Sequence, residues 1–191
     1  MRPTTGHLVM RRARLSALLT PLTLLVPAAT AAQHVFTPAP VVVSAAARDN
    51  ARADTLEGWA SSMYGKRWQW PNAARLHERA AALRGDDPRA VQSWRMAAWL
   101  HSADGNHGRG RAMMERAAAS AIAVGDVERA ADAYIDAALI AMEGGRADKA
   151  TGLLRRTRVV LGSPLLPLER RGAILRRIGD EPRLAQAYGT P

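Results

Sequence analysis

The sequence predicts an all-α protein of antiparallel helical hairpins stacked into a short α-solenoid of about seven helices. Three observations carry this reading. The apolar residues are mostly Ala and Leu, with one Phe and three Tyr, a balance that favours helix over sheet. From residue 51 onward, spans of helical length are separated by short breaks of Gly, Asp and Pro. Beyond residues 41–44, Val, Ile and aromatic side chains do not alternate with polar ones as a half-buried strand requires.

Residues 1–32 have the form of a secretory signal peptide. Arg2, Arg11, Arg12 and Arg14 make a positive start, residues 15–26 are apolar around Pro21, and Ala29-Thr30-Ala31 is a small-x-small cleavage site. The apolar run falls short of the ~20 residues that span a bilayer. The expectation is therefore export, periplasmic or secreted, with an uncleaved N-terminal membrane anchor as the alternative. Residues 1–32 contain four Arg and no acid, so the mature chain carries 27 − 4 = 23 basic residues against 17 acidic, a net +6 rather than +10. With no Cys, disulfides, thiolate metal sites and Cys nucleophiles are excluded.

Residues 33–50 read as a linker, because Pro38 and Pro40 favour extended backbone before Val41, Val42 and Val43. The first helix is expected over 52–64. A Trp-bearing turn at 65–70 follows, then a helix over 72–84 opened by Pro71. Gly85-Asp86-Asp87-Pro88 is a stop and restart: Gly closes one helix, Asp87 caps the next, and Pro88 suits a first helical position. Helices are expected over 88–102 and 110–124, separated by a Gly-rich loop at 104–109.

The stretch 125–162 is the clearest hairpin. Asp126 caps a helix over 126–143 that is apolar on most sides, the pattern of a helix buried between neighbours. Gly144 and Gly145 end it, and residues 146–161 form the partner helix, with arginines on its outer face. A seventh helix is expected at about 167–178, with a last turn at 183–188.

The pairs share a pattern. Ala60, Ser61 and Tyr64 precede Ala73, His77 and Ala80. Trp94, Ala97, Ala98 and His101 precede Gly105, Ala112, Arg116 and Ala119. Tyr134, Ala137, Ala138 and Ala141 precede Gly145, Ala150, Leu154 and Thr157. An aromatic, two small residues, a position one turn on, then Gly, then Ala: residues 52–164 resemble three degenerate tetratricopeptide repeats, with 165–191 as capping helix and tail. The units here are longer than the ~34 residues of that family, since Trp94 to Tyr134 is 40 residues.

That resemblance implies a concave groove that takes a protein or peptide partner on the first helix of each unit. Carried onto this chain, the groove positions are Gln92, Arg95 and Trp99, then Asp132, Ile135 and Leu139. Trp and Arg are enriched at binding hot spots. Isolated units would also leave a sticky apolar patch, which makes self-association an expectation.

Catalytic constellations are absent from the sequence. His77-Glu78 starts like a zinc-protease motif, but the second His position holds Ala81. His34, His101 and His107 have no partners at metal-ligand spacing, with His107 placed in a loop. Gly105, Gly108 and Gly110 follow no strand and lack Gly-Lys-Ser/Thr. The expectation is a non-enzymatic adaptor without cofactor or metal, and nucleic acid is not an expected partner of an exported chain.

The alternative uses Arg155, Arg156, Arg158, Arg170, Arg171, Arg176 and Arg177 to meet polyanions or an anionic membrane surface. Glu169 is the sole acid among them in sequence, which predicts poor neutralisation within the cluster.

Overall fold

In the computed structural model, which describes residues 44–189, every regular element is helical. The expected signal peptide, residues 1–32, and residues 33–43 of the expected linker lie outside the described residues. Helix α1 is Ala45–Ser62, a 3-10 turn follows at Arg67–Gln69, then α2 is Trp70–Arg84 and α3 is Arg89–Ala103. The chain continues with α4 His107–Ala123, α5 Val127–Glu143, α6 Ala147–Leu161, α7 Leu168–Asp180 and α8 Pro182–Gly189. Each of the first five helices packs on the next in sequence order; α7 lies against α5, and α8 against α6 and α7. As expected, this is a short helical solenoid, with eight helices among the described residues.

The differences from expectation lie at helix starts. Residues 45–50 are helical, not linker, because the Ser44 hydroxyl accepts the Ala47 N–H at 3.1 Å and three alanines follow. Helix α4 starts at His107, inside the expected loop, because Asn106 accepts the Arg109 N–H at 3.2 Å. The last turn is a full helix, α8, which buries Leu184. Asp126 and Asp87 cap as expected, accepting the N–H groups of Arg129 at 3.0 Å and Arg89 at 2.9 Å.

The turns have a period. Gly85, Gly105, Gly125 and Gly145 all take positive φ, at 53°, 85°, 76° and 71°, and each is 20 residues after the last. In the last three the next residue's N–H closes on a carbonyl five residues back: Asn106 to His101, Asp126 to Ala121 and Arg146 to Ala141, at 2.8, 2.8 and 2.7 Å. This is the Schellman closure, which satisfies orphan carbonyls and needs the left-handed residue that Gly supplies. Of the Gly144-Gly145 pair, only Gly145 is left-handed; Gly144 is required because a Cβ there would sit 2.9 Å from His107 Cβ.

Helix α5 is the axis of the core. It buries ten residues, including Tyr134, Ile135, Ile140 and six alanines. Alanines at zero exposure also line α3, α4 and α6, so backbones approach closely and volume is supplied by a few large side chains such as Met114 and Leu154. Gly110 marks the tightest approach: a Cβ there would meet the Ala98 carbonyl oxygen at 2.8 Å. A smaller cluster at the N-terminal end joins Ala60, Ala73, Ala74 and Leu100.

Candidate partner-binding face

The odd-numbered helices α1, α3, α5 and α7 are tied by polar bridges. Between α1 and α3, Ser93 donates to Glu57 and Arg89 pairs with Asp54 at 3.4 Å. Between α3 and α5, Arg95 donates to Asp136 at 3.0 Å. Between α5 and α7, Arg177 donates to both Asp136 and Asp132, the latter at 2.8 Å. Asp136 is 1% exposed, so a carboxylate placed there must be paired, and two guanidinium groups do it.

This bridge orients the expected groove residues. Trp99 lies one turn beyond Arg95 and Leu139 one turn beyond Asp136, so both stand on the same side of the Arg95–Asp136 bond. Trp99 is 41% exposed and Leu139 is half-buried. Gln92 is exposed, one turn before Arg95. Asp132 is engaged by Arg177. Ile135 departs from expectation: it is 0% exposed and belongs to the core, not to a groove. The register of α5 is set by Asp136 reaching its arginines, and that turns the neighbouring Ile135 inward.

Sequence reasoning missed Asp136 and Trp59. Trp59, Trp99 and Leu139 are each 40 residues apart, and Trp59 is 58% exposed. Comparing the sequence with itself at that spacing would have found the row. Asp136 was visible only as an acid within the most apolar stretch of its helix, residues 133–142.

The arginine cluster is not the free basic surface expected. Acids from other helices neutralise much of it: Arg156 pairs with Glu115 at 2.9 Å, Arg170 with Glu128 at 3.6 Å, and Arg177 with Asp132 and Asp136. Arg158 lies over the Tyr188 ring at 4.5 Å and Arg171 donates to the Ser163 carbonyl at 3.2 Å. Arg155 and Arg176 remain exposed and unpaired among the described residues.

The aromatic and His-bearing stretches resolve individually. Trp70 folds back, its indole N–H donating to the Tyr64 carbonyl at 3.0 Å, while Trp68 is 73% exposed. Trp94 packs on the core under Arg116, 5.1 Å from its ring. His107 Nδ1 shares a hydrogen bond with the Ser102 hydroxyl, 3.1 Å away, at the start of α4. His101 pairs with Glu78 at 2.6 Å.

The densest polar cluster joins the first hairpin to α3. Arg84 donates to Glu57, to Asp54 at 2.6 Å and to Ser93 at 2.6 Å. Burial alone would raise the Glu57 carboxyl, but the hydrogen bonds from Arg84 and Ser93 outweigh it and hold Glu57 below its ordinary value. His77 bonds the Tyr64 hydroxyl through Nε2. Its Nδ1 is unpartnered, 4.0 Å from Glu57. Burial pushes His77 below its ordinary value against the opposing pull of Glu57. Ser93 is 0% exposed and its hydroxyl is committed to Glu57, so this cluster fastens helices together and offers no accessible nucleophile.

The fold defines the class: an all-α array of helices stacked in sequence order. Comparison with protein-family models and with curated proteins returned no match for this chain.

Proposed function

We propose that this chain is an exported, non-enzymatic helical-repeat adaptor that holds a protein or peptide partner across α3 and α5. The observation that carries the reading is Trp99: a large indole, 41% exposed, one helical turn beyond Arg95 and its bond to Asp136. Aromatic side chains on a rigid support bind partners at low entropic cost. Gln92 and the outer edge of Arg95 supply polar contacts at the rim. The repeat unit in this reading is a hairpin of about 40 residues, tetratricopeptide-like in its Ala and aromatic pattern but longer than that family's ~34. The signal-like residues 1–32 support an envelope or extracellular setting.

The engagement of Arg156, Arg158, Arg170, Arg171 and Arg177 within the fold weighs against polyanion or membrane-surface binding as the main role. The test is capture from envelope extract with the wild-type chain and Trp99→Ala, at low and high salt. The adaptor reading expects one or two proteins retained at high salt by the wild type and lost by Trp99→Ala. Retention only of anionic species, at low salt and indifferent to Trp99→Ala, would refute it, because such binding is charge that salt screens within ~10 Å at 0.1 M.

A further inference from the structure

The N-terminal end of the array carries a second surface that the Trp99 reading does not use. Helix α1 is 18 residues long yet fully buries only Ala53 and Ala60. Its other side, with α2, forms an open cleft of about 580 Å³ whose apolar lining includes Leu56, Trp59 and Leu83. Arg52 and Arg79 line the same cleft, and no acidic residue does. Arg52 is 76% exposed, with its nearest carboxylate, Asp49, 3.9 Å away. Arg79 is exposed and unpaired among the described residues.

We infer that this cleft docks an acidic amphipathic helix of a partner protein, its apolar stripe on Leu56, Trp59 and Leu83 and its carboxylates on Arg52 and Arg79. The cleft is built as a helix seat. Arg52, Leu56 and Trp59 recur at three and four residues along α1, and Arg79 and Leu83 do so on α2, which is the spacing an apolar helix face reads. Charge selects the occupant. Symmetric pairing with a second copy would set Arg52 and Arg79 against their own counterparts. Head-to-tail stacking would bring them to residues 168–189, which hold five arginines and three acids. Residues 33–43 contain no acid to meet them.

The full chain is titrated by fluorescence anisotropy with two labelled synthetic helices of identical leucine stripe, one flanked by glutamates and one by lysines. The glutamate helix is expected to bind about tenfold more tightly. Arg52→Glu with Arg79→Glu inverts the preference, and Trp59→Ala weakens the glutamate helix about tenfold, both with unchanged circular dichroism. Trp99→Ala leaves this binding intact, which separates the cleft from the face proposed above. Equal affinity for the two helices, or none for either, overturns the inference, as does a preference that survives the charge reversal. Binding seen only after deletion of residues 33–43 assigns the cleft to the chain's own segment. A concentration-dependent dimer abolished by Trp59→Ala assigns it to a second copy. Loss of helix binding to anionic vesicles at equal lipid assigns it to a membrane surface. Each of these also overturns it.

Discussion

Arg95 and Arg177 meet on one carboxylate: Asp136 lies 41 residues after the first and 41 residues before the second. The same separation joins Glu115 to Arg156 and Ser102 to Glu143. A hairpin of two 20-residue helix-and-turn segments, plus one residue, places side chains of successive hairpins within bonding distance. The bridges therefore report the period of the stack as directly as the glycine turns do.

Asp136→Ala removes the shared acceptor and leaves two guanidinium groups facing each other. The expected loss is roughly 3–5 kcal/mol in urea-denaturation stability, the cost of breaking a buried pair. Asp132→Ala, whose side chain is 31% exposed, costs about 1 kcal/mol or less. Equal effects would show that Asp136 is not the brace.

Ile135 and Trp99 separate core from surface. Ile135→Ala is expected to cost about 2–5 kcal/mol of stability and to leave partner capture unchanged in the folded fraction. Trp99→Ala is expected to do the opposite, with stability within about 1 kcal/mol. Thermal melts alongside the capture assay check both.

Two glycines within helices predict opposite signs. Gly110→Ala drives a Cβ against the Ala98 carbonyl oxygen and the Ser102 backbone nitrogen, at 2.8 and 3.1 Å. Helix α4 must shift off α3, at about 1–3 kcal/mol. Gly58→Ala meets nothing within 4 Å on exposed α1 and is expected to stabilise by about 0.5–1 kcal/mol. Chemical denaturation of the two variants reads the difference.

Acid lability follows from His77. Its folded pKa lies below the ordinary 6.5, so the unfolded chain binds the proton first. This contribution to stability is complete above about pH 6.5 and is lost as pH falls from there toward the folded value. The neighbours facing it are Tyr64, Glu57 and Arg84. Asp87, held down to about 2 chiefly by its hydrogen bonds from Arg89, adds a separate loss between about pH 4 and 2. The midpoint temperature should fall between pH 7 and 5 in the wild type. That fall should flatten in His77→Gln, whereas the drop below pH 4 should persist there and shrink in Asp87→Asn.

Helix type, the breaks and most caps were determined by the sequence itself, because each is a local event. A Gly at a left-handed turn, an Asp ahead of a free N–H and an Ala-rich span act within a few residues, whatever lies beyond. The burial of α5 was legible too, since a helix apolar on most sides has one stable place. The start of α1 was obscured by the prolines before it, although Ser44 and three alanines carried the signal. Tertiary structure decided what depends on partners about 40 residues away. It turned Ile135 inward, left Trp99 exposed and joined Asp136 to its two arginines. It also met the C-terminal arginines with Glu115, Glu128 and Asp132, acids that are distant in sequence and adjacent only once the hairpins stack. Charge pairing and exposure are properties of neighbours in space, and only the stacking of one hairpin on the next creates those neighbours.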